Sequence, residues 1–195
     1  MYVRDAKNRE EVWLLDRIEE MRLDATAFRS RDYVVAIDEV TNEKAGFGRI
    51  RIHRPDDSEP VCELTSIGVL ENWRNQGVGA HVIERLIEYA SDQEFEYVYA
   101  LSSESAYLAR FGFAKIDTEE LPAVLQERLE TKRATIDEDA VALRVDVDRF
   151  EVPNRLRRAF KEASKAEEES PADETTPEEF GIDPETATYK YDTGR

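Results

Sequence analysis

The chain has 195 residues, with 44 Asp and Glu against 27 Lys and Arg, for a formal net charge of −17. Bulk charge of that sign argues against nucleic acid or an anionic membrane surface as partner. Cys62 is the only cysteine, which excludes an intrachain disulfide and a cysteine metal cluster.

Tyr2–Asp5 predicts a first strand. Asn8 is placed to cap a helix, with Glu11 as its capping-box partner, and Val12, Leu15, Ile18 and Met21 give that helix an apolar stripe. A short helical piece over Ala25–Ser30 follows. Tyr33–Asp38, Ala45–Arg54 and Val61–Val69 read as three strands joined by short turns, an antiparallel meander. The period then changes. Gly77–Ala90 reads as a helix that buries Val78, Val82, Ile83, Leu86, Ile87 and Ala90. Tyr97–Leu101 is the next strand, Ser105–Arg110 a short helix and Phe111–Ile116 a further strand. Thr118–Arg133 reads as a helix with Pro122 in its first turns. Val141, Leu143, Val145 and Val147 are the inward positions of a last, half-buried strand. The sum is an α/β fold with a mixed sheet: antiparallel strands first, then a strand–helix–strand unit.

These elements fill one domain over residues 1–150. Residues 151–195 predict a short basic helix over Pro153–Lys165, with Leu156 and Phe160 on one side, and then an acidic tail. Glu162–Arg195 holds 11 acidic and 3 basic residues, a net −8, which leaves −9 for the first 161 residues. With Pro171, Pro177 and Pro184 and few large apolar residues, the tail is expected to be disordered. Lys occurs at only seven positions, leaving 20 Arg. An acidic, lysine-poor chain suits a salt-filled cytoplasm, where screening over roughly 3 Å tolerates a like-charged surface. The plainer alternative is an ordinary acidic protein with an acidic tail. No apolar run approaches the ~18 residues of a membrane span, and MYVRDAKNREE has no signal-peptide core, so a cytoplasmic protein is expected.

The chemistry concentrates in Leu64–Ala80, LTSIGVLENWRNQGVGA, which runs strand, loop, glycine pair, helix. Glycines at a helix start let backbone N–H groups converge on an anion, and the helix dipole adds positive potential. Arg74 supplies a full charge just upstream. The pattern is neither a Walker A loop nor GxGxxG, and glycines at helix starts often serve close packing alone. Trp73 is expected to pack beside this loop, and Cys62 to be a small buried side chain. Two histidines, His53 and His81, show no metal-ligand spacing, so no metal is expected.

Arg74-Asn75-Gln76-Gly77-Val78-Gly79 fits Gln/Arg-x-x-Gly-x-Gly/Ala and resembles the acetyl-CoA pyrophosphate loop of the GNAT N-acetyltransferase superfamily. The resemblance extends over Tyr2–Phe150 in element order, with Phe111-Gly112-Phe113 after the short helix. It implies a splay between the strand ending Ile67-Gly68-Val69 and the strand Tyr97–Leu101, with the pantetheine arm of acetyl-CoA pairing to backbone near Ile67 and Val69. The pyrophosphate would take the N–H groups of Gln76, Gly77, Val78, Gly79 and Ala80, with Arg74 and Asn75 beside them. Transfer to an acceptor amine would then be direct. Glu63, 14 residues before Gly77, stands where some members carry a glutamate base; the plain reading is a solvent-facing strand charge.

Many members carry a Tyr four residues before the Gly-Phe glycine. Here that place is Leu108, and Tyr107 is one residue earlier, about 100° around a helix. Tyr107 is the candidate acid for the leaving thiolate, or else a packed aromatic. The segment Val98–Phe113 resembles amino-acid-type acetyltransferases, such as the glutamate N-acetyltransferase group. Arg49, Arg51 and His53 alternate along one strand and share a face, so Arg49 and Arg51 are candidates for an anionic substrate, or surface charges neutralising nearby carboxylates. The expected acceptor is a small-molecule amine or amino acid. A non-catalytic acyl-CoA-binding module and a protein or peptide acetyltransferase stay open, as does a homodimer.

Overall fold

The computed structural model describes residues 1–163; the expected disordered tail lies outside them. Seven strands form one mixed sheet: β1 (Tyr2–Asp5), β2 (Tyr33–Ile37), β3 (Lys44–His53), β4 (Val61–Val69), β5 (Tyr97–Ser102), β6 (Ala114–Lys115) and β7 (Val141–Asp146), in the order β1-β2-β3-β4-β5-β7-β6. β1 through β4 pair antiparallel, β4 and β5 pair parallel, and β7 lies antiparallel between β5 and β6. The helices are α1 (Glu11–Glu20), α2 (Val78–Asp92), α3 (Ser105–Leu108), α4 (Ala123–Thr135) and α5 (Asn154–Glu162). No helix among the described residues is long and apolar enough to cross a membrane.

Both sheet faces are covered, so β2 is buried at every position. Val34 and Ala36 join β4's Cys62 and Leu64 and β5's Val98 and Ala100 under α2. Tyr33, Val35, Ile37 and Phe47 meet α1 on the opposite face, and Val61, Leu101 and Ala142 meet Leu125 and Leu129 of α4 there. All six expected α2 positions are buried. Burial pushes the Cys62 thiol up to about 12, with Glu63 adding to the shift, so it is an inert core side chain.

Several local expectations are corrected. The α1 stripe is Leu14 and Ile18, while Val12 and Leu15 are exposed. The rotation follows from the entry turn: Glu10, not Glu11, closes the cap, accepting the Lys7 N–H at 2.8 Å and pairing with Arg4. Ala25–Arg29 is not helical, and a 3₁₀ turn begins only at Ser30. The Asp24 carboxylate takes the Thr26 N–H, and the Arg49 guanidinium takes the carbonyls of Thr26 and Ala27, so that backbone is held by side chains. The strand expected over Phe111–Ile116 shrinks to two residues, because Gly112 turns left-handed at φ +93° after a 3₁₀ turn. The Thr118–Arg133 helix splits, because Leu121 is extended before Pro122 and α4 starts only at Ala123. In β7, Ala142 is buried together with Leu143 and Val145, because helices cover both of its faces.

Helix α5 packs against α2. Leu156 and Phe160 are buried, the Phe160 ring stacks on His81 at 3.8 Å, and Arg157 pairs with Glu84 at 2.5 Å. The helix expected after residue 150 is therefore packed on the domain that precedes it.

Candidate active site

The cleft begins where β4 leaves β5. The two strands pair only at Cys62–Val98, Glu63–Tyr99 and Leu64–Ala100. Beyond Leu64, β4 bulges against β3, with Ser66 left-handed at φ +52° and its hydroxyl donating to the Asp24 carbonyl at 2.7 Å. The divergence opens a cleft of about 1790 Å³. Leu64–Val69 form one wall, Ala100–Glu104 and Tyr107 the other, and Gly77, Val78 and Gly79 close one end.

That end is a sharp loop feeding a helix. Asn75 (φ +63°) and Gly77 (φ +78°) are both left-handed, and Gly77 is the N-cap of α2. The Gln76 amide donates to the Asn72 carbonyl at 2.8 Å and braces the turn. The buried Trp73 lies just before it. The α2 ladder begins where the His81 N–H donates to the Gly77 carbonyl. The N–H groups of Val78, Gly79 and Ala80 thus have no acceptor within the helix. Gly79 needs to be glycine for a different reason from Gly77: a Cβ there would lie 2.8 Å from the Tyr107 hydroxyl. Arg74, exposed and lining the cleft, donates its Nε to the Val69 carbonyl at 3.4 Å, which leaves its two terminal nitrogens for other acceptors. Orphan donors, a helix dipole and a free arginine fit a pyrophosphate.

Of the residues expected to hold the cofactor, Ile67, Gly68, Val69, Arg74, Asn75, Gly77, Val78 and Gly79 line the cleft; Gln76 and Ala80 do not. Tyr107 does line it, one residue off the familiar register. Its ring meets Phe111 edge-on at 5.1 Å, and its hydroxyl reaches over the first turn of α2 beside Val69. Burial pushes the hydroxyl above its ordinary range, so it is protonated at neutral pH.

Glu63 is wholly buried rather than solvent-facing, behind the cleft wall. Its Oε2 accepts from His53 Nε2 at 2.7 Å and from Arg128 Nε at 2.6 Å, while Oε1 has no hydrogen-bond partner among the described residues. Burial disfavours its charge, but His53 and Arg128 outweigh that and hold the carboxyl below its usual range. Arg128 bridges onward to Asp24. Asp24 is also disfavoured by burial, yet Thr26 and Arg128 hold it at about 2.

Arg49 and Arg51 do share the face of Glu63, opposite Thr65 and Glu63 in register, but neither lines the cleft. Arg49 is 1% exposed and committed to the 26–27 carbonyls, with Asp32 at 3.7 Å and the Tyr33 ring beneath it. It is a strut of the fold, not a substrate ligand. Arg51 faces the Glu63–Arg128 cluster. Asp24, Thr65, Ser66 and Lys132 are the polar residues that line the cleft in that region instead. Lys132 donates to the Leu101 carbonyl at 2.5 Å, and burial lowers its pKa. Sequence reading missed Asp24, Arg128 and Lys132. The only signal was the i, i+4 pair Arg128–Lys132 beside Leu125 and Leu129 on α4.

The sequence model of the acetyltransferase (GNAT) family matches residues 2–113, more than half of the chain. An N-acetyltransferase of Chlorobaculum tepidum is 31% identical over 62 residues, a match covering 32% of this chain and 40% of that protein. A Mycobacterium tuberculosis protein solved with CoA and a further ligand superposes with a TM-score of 0.62 at 16% identity, over 75% of this chain and 99% of that one. N-acetylglutamate synthase of Neisseria gonorrhoeae, solved with coenzyme A and N-acetyl-glutamate, gives 0.61 at 14% identity, over 75% of this chain and 35% of that one.

Proposed function

Because the chain belongs to the GNAT acetyltransferase family and is an acyltransferase, we propose that it moves an acetyl group from acetyl-CoA directly to the amine of a small molecule or amino acid. The observation that carries this is the strand splay ending on the orphan N–H groups of Val78–Ala80. Those groups and Arg74 hold the pyrophosphate. The edge of Ile67–Val69 that β5 leaves without a strand partner aligns the pantetheine arm along β4. The thioester supplies the activated acetyl. The acceptor amine enters from the side of Asp24, Ser66 and Lys132, a mixed-charge wall suited to a polar amine.

Two side chains move protons. Glu63, ionised at neutral pH, takes the amine's proton through water at its free Oε1. Tyr107 donates its hydroxyl proton to the leaving thiolate. A raised pKa suits that role, because the acid form persists until strongly alkaline pH. Tyr107→Phe is expected to lower kcat about tenfold, a modest loss because a thiolate leaves readily, with CoA affinity unchanged. Equal kcat in the two proteins would remove Tyr107 as the acid.

The reading as a whole is tested by following thiol release from acetyl-CoA with a panel of amines and amino acids. Release that depends on an added amine is the expected result.

A further inference from the structure

The body around the cleft is acidic, and the proposed co-substrate is an anion, so each arginine at the cleft mouth has to be accounted for. Arg74 belongs to the loop. Arg22, Arg17 (paired with Glu20) and Arg110 (over the Tyr107 ring) line the same cleft, and one more arginine arrives from α5. Helix α5 lays its backbone directly on the glycine turn: a Cβ on Gly77 would lie 2.3 Å from the Leu156 carbonyl and 3.1 Å from the Phe160 nitrogen. The His81–Phe160 stack and the Arg157–Glu84 pair lock α5 onto the first turns of α2. This placement brings Arg155, Leu156 and Ala159 onto the cleft lining beside Arg74, Asn75 and Gly77. Leu156 is spent on packing and Arg157 on Glu84. Arg155 is exposed and forms no ion pair or hydrogen bond among the described residues.

We propose that α5 is part of the cofactor site and that Arg155, facing the cleft mouth beside Arg74, binds a phosphate of the acyl-CoA. This rests on the reading of the cleft as an acyl-CoA site. The chemistry is that of a guanidinium fork on a phosphate dianion, a charge-assisted pair that gains from the neighbouring helix start. Coenzyme A offers two such groups, the pyrophosphate and the ribose 3′-phosphate. α5 therefore does two things at the loop: it packs its backbone against Gly77 in its left-handed turn, and it adds a second arginine beside Arg74.

The test is calorimetric titration of the full chain with CoA and with 3′-dephospho-CoA, in matched salt. The proteins are wild type, Arg155→Ala and Arg155→Glu, with Arg158→Ala as a control. Arg158 lies exposed on the same helix, off the cleft, and its loss changes net charge equally. Arg155→Ala is expected to weaken CoA about five- to tenfold, with Arg155→Glu weaker still and Arg158→Ala close to wild type. Loss for CoA alone assigns Arg155 to the 3′-phosphate. Equal loss for both ligands assigns it to the pyrophosphate. Either result supports the proposal. Wild-type affinity in Arg155→Ala for both ligands overturns it, as does an equal loss in Arg158→Ala. A wild-type chain that binds neither ligand overturns the acyl-CoA reading itself, and this proposal with it.

Discussion

Gly79→Glu is expected to abolish CoA binding, raising Kd by at least about a hundredfold, while the chain still folds. Two effects add. Even a methyl at this position would press on the Tyr107 hydroxyl, 2.8 Å from the ideal Cβ. A carboxylate would stand among the orphan N–H groups of Val78–Ala80, where a phosphate is to sit. Like charges about 4 Å apart repel by about 4 kcal/mol at the effective dielectric of a protein surface. Folding is spared because an acidic side chain in the first turn of a helix is favoured by the helix dipole. Circular dichroism and CoA titration on the same preparation check both halves. A folded Gly79→Glu protein that binds CoA within about tenfold of wild type would contradict the assignment of this helix start as the phosphate site.

Glu63→Gln carries the second large effect, and it falls on turnover and stability together. Glu63 is the meeting point of the buried His53 and the partly buried Arg128. Neutralising it leaves the Arg128 guanidinium short of a charged partner, for an expected stability loss of about 2–4 kcal/mol at neutral pH. The pH dependence has a definite sign. The folded-state pKa lies below the ordinary carboxylate value, so the ion pair contributes fully above about pH 4.3. That contribution is lost as pH falls through the depressed value. In turnover, Glu63→Gln is expected to cut kcat about a hundredfold without changing CoA affinity. Because Glu63 stays ionised across the neutral range, the acid limb of the wild-type rate profile should follow the ammonium pKa of each acceptor. An unchanged kcat in folded Glu63→Gln protein would leave Glu63 a purely structural anchor.

The sequence was most informative where local chemistry decides the structure. The α2 stripe, the meander and the Gly-x-Gly helix start all depend on near neighbours, and each appears as expected. Alternation along β3 correctly put Arg49, Arg51 and His53 on one face. It could not show that this face is covered. Burial turned Arg49 from a candidate ligand into a strut for the 26–27 carbonyls, residues more than 20 positions away. The same long-range bonds take the Thr26 and Ala27 carbonyls that a helix over Ala25–Arg29 would use. Glu63 was recognisable as a candidate from its distance to Gly77, but its partners were not. Arg128 reaches it from α4, whose weak amphipathic pattern gives no hint of a buried charged face. The cleft mouth was the least legible part. Leu156 and Phe160 marked one side of α5 as apolar, yet nothing local says that this side lands on Gly77.

The acidity that dominates the composition has little to do with how the site would hold an anion. In the proposed reading, a phosphate is met by backbone donors and arginines at contact distance, where salt screens least. That account is tested most directly by incubating the full chain with acetyl-CoA and a panel of amines and amino acids in molar KCl, following free thiol and the mass of the acceptor. The expected result is thiol release that requires an amine, matched by one acetyl group on that amine. CoA binding without release for any amine would contradict the catalytic account and leave an acyl-CoA-binding module.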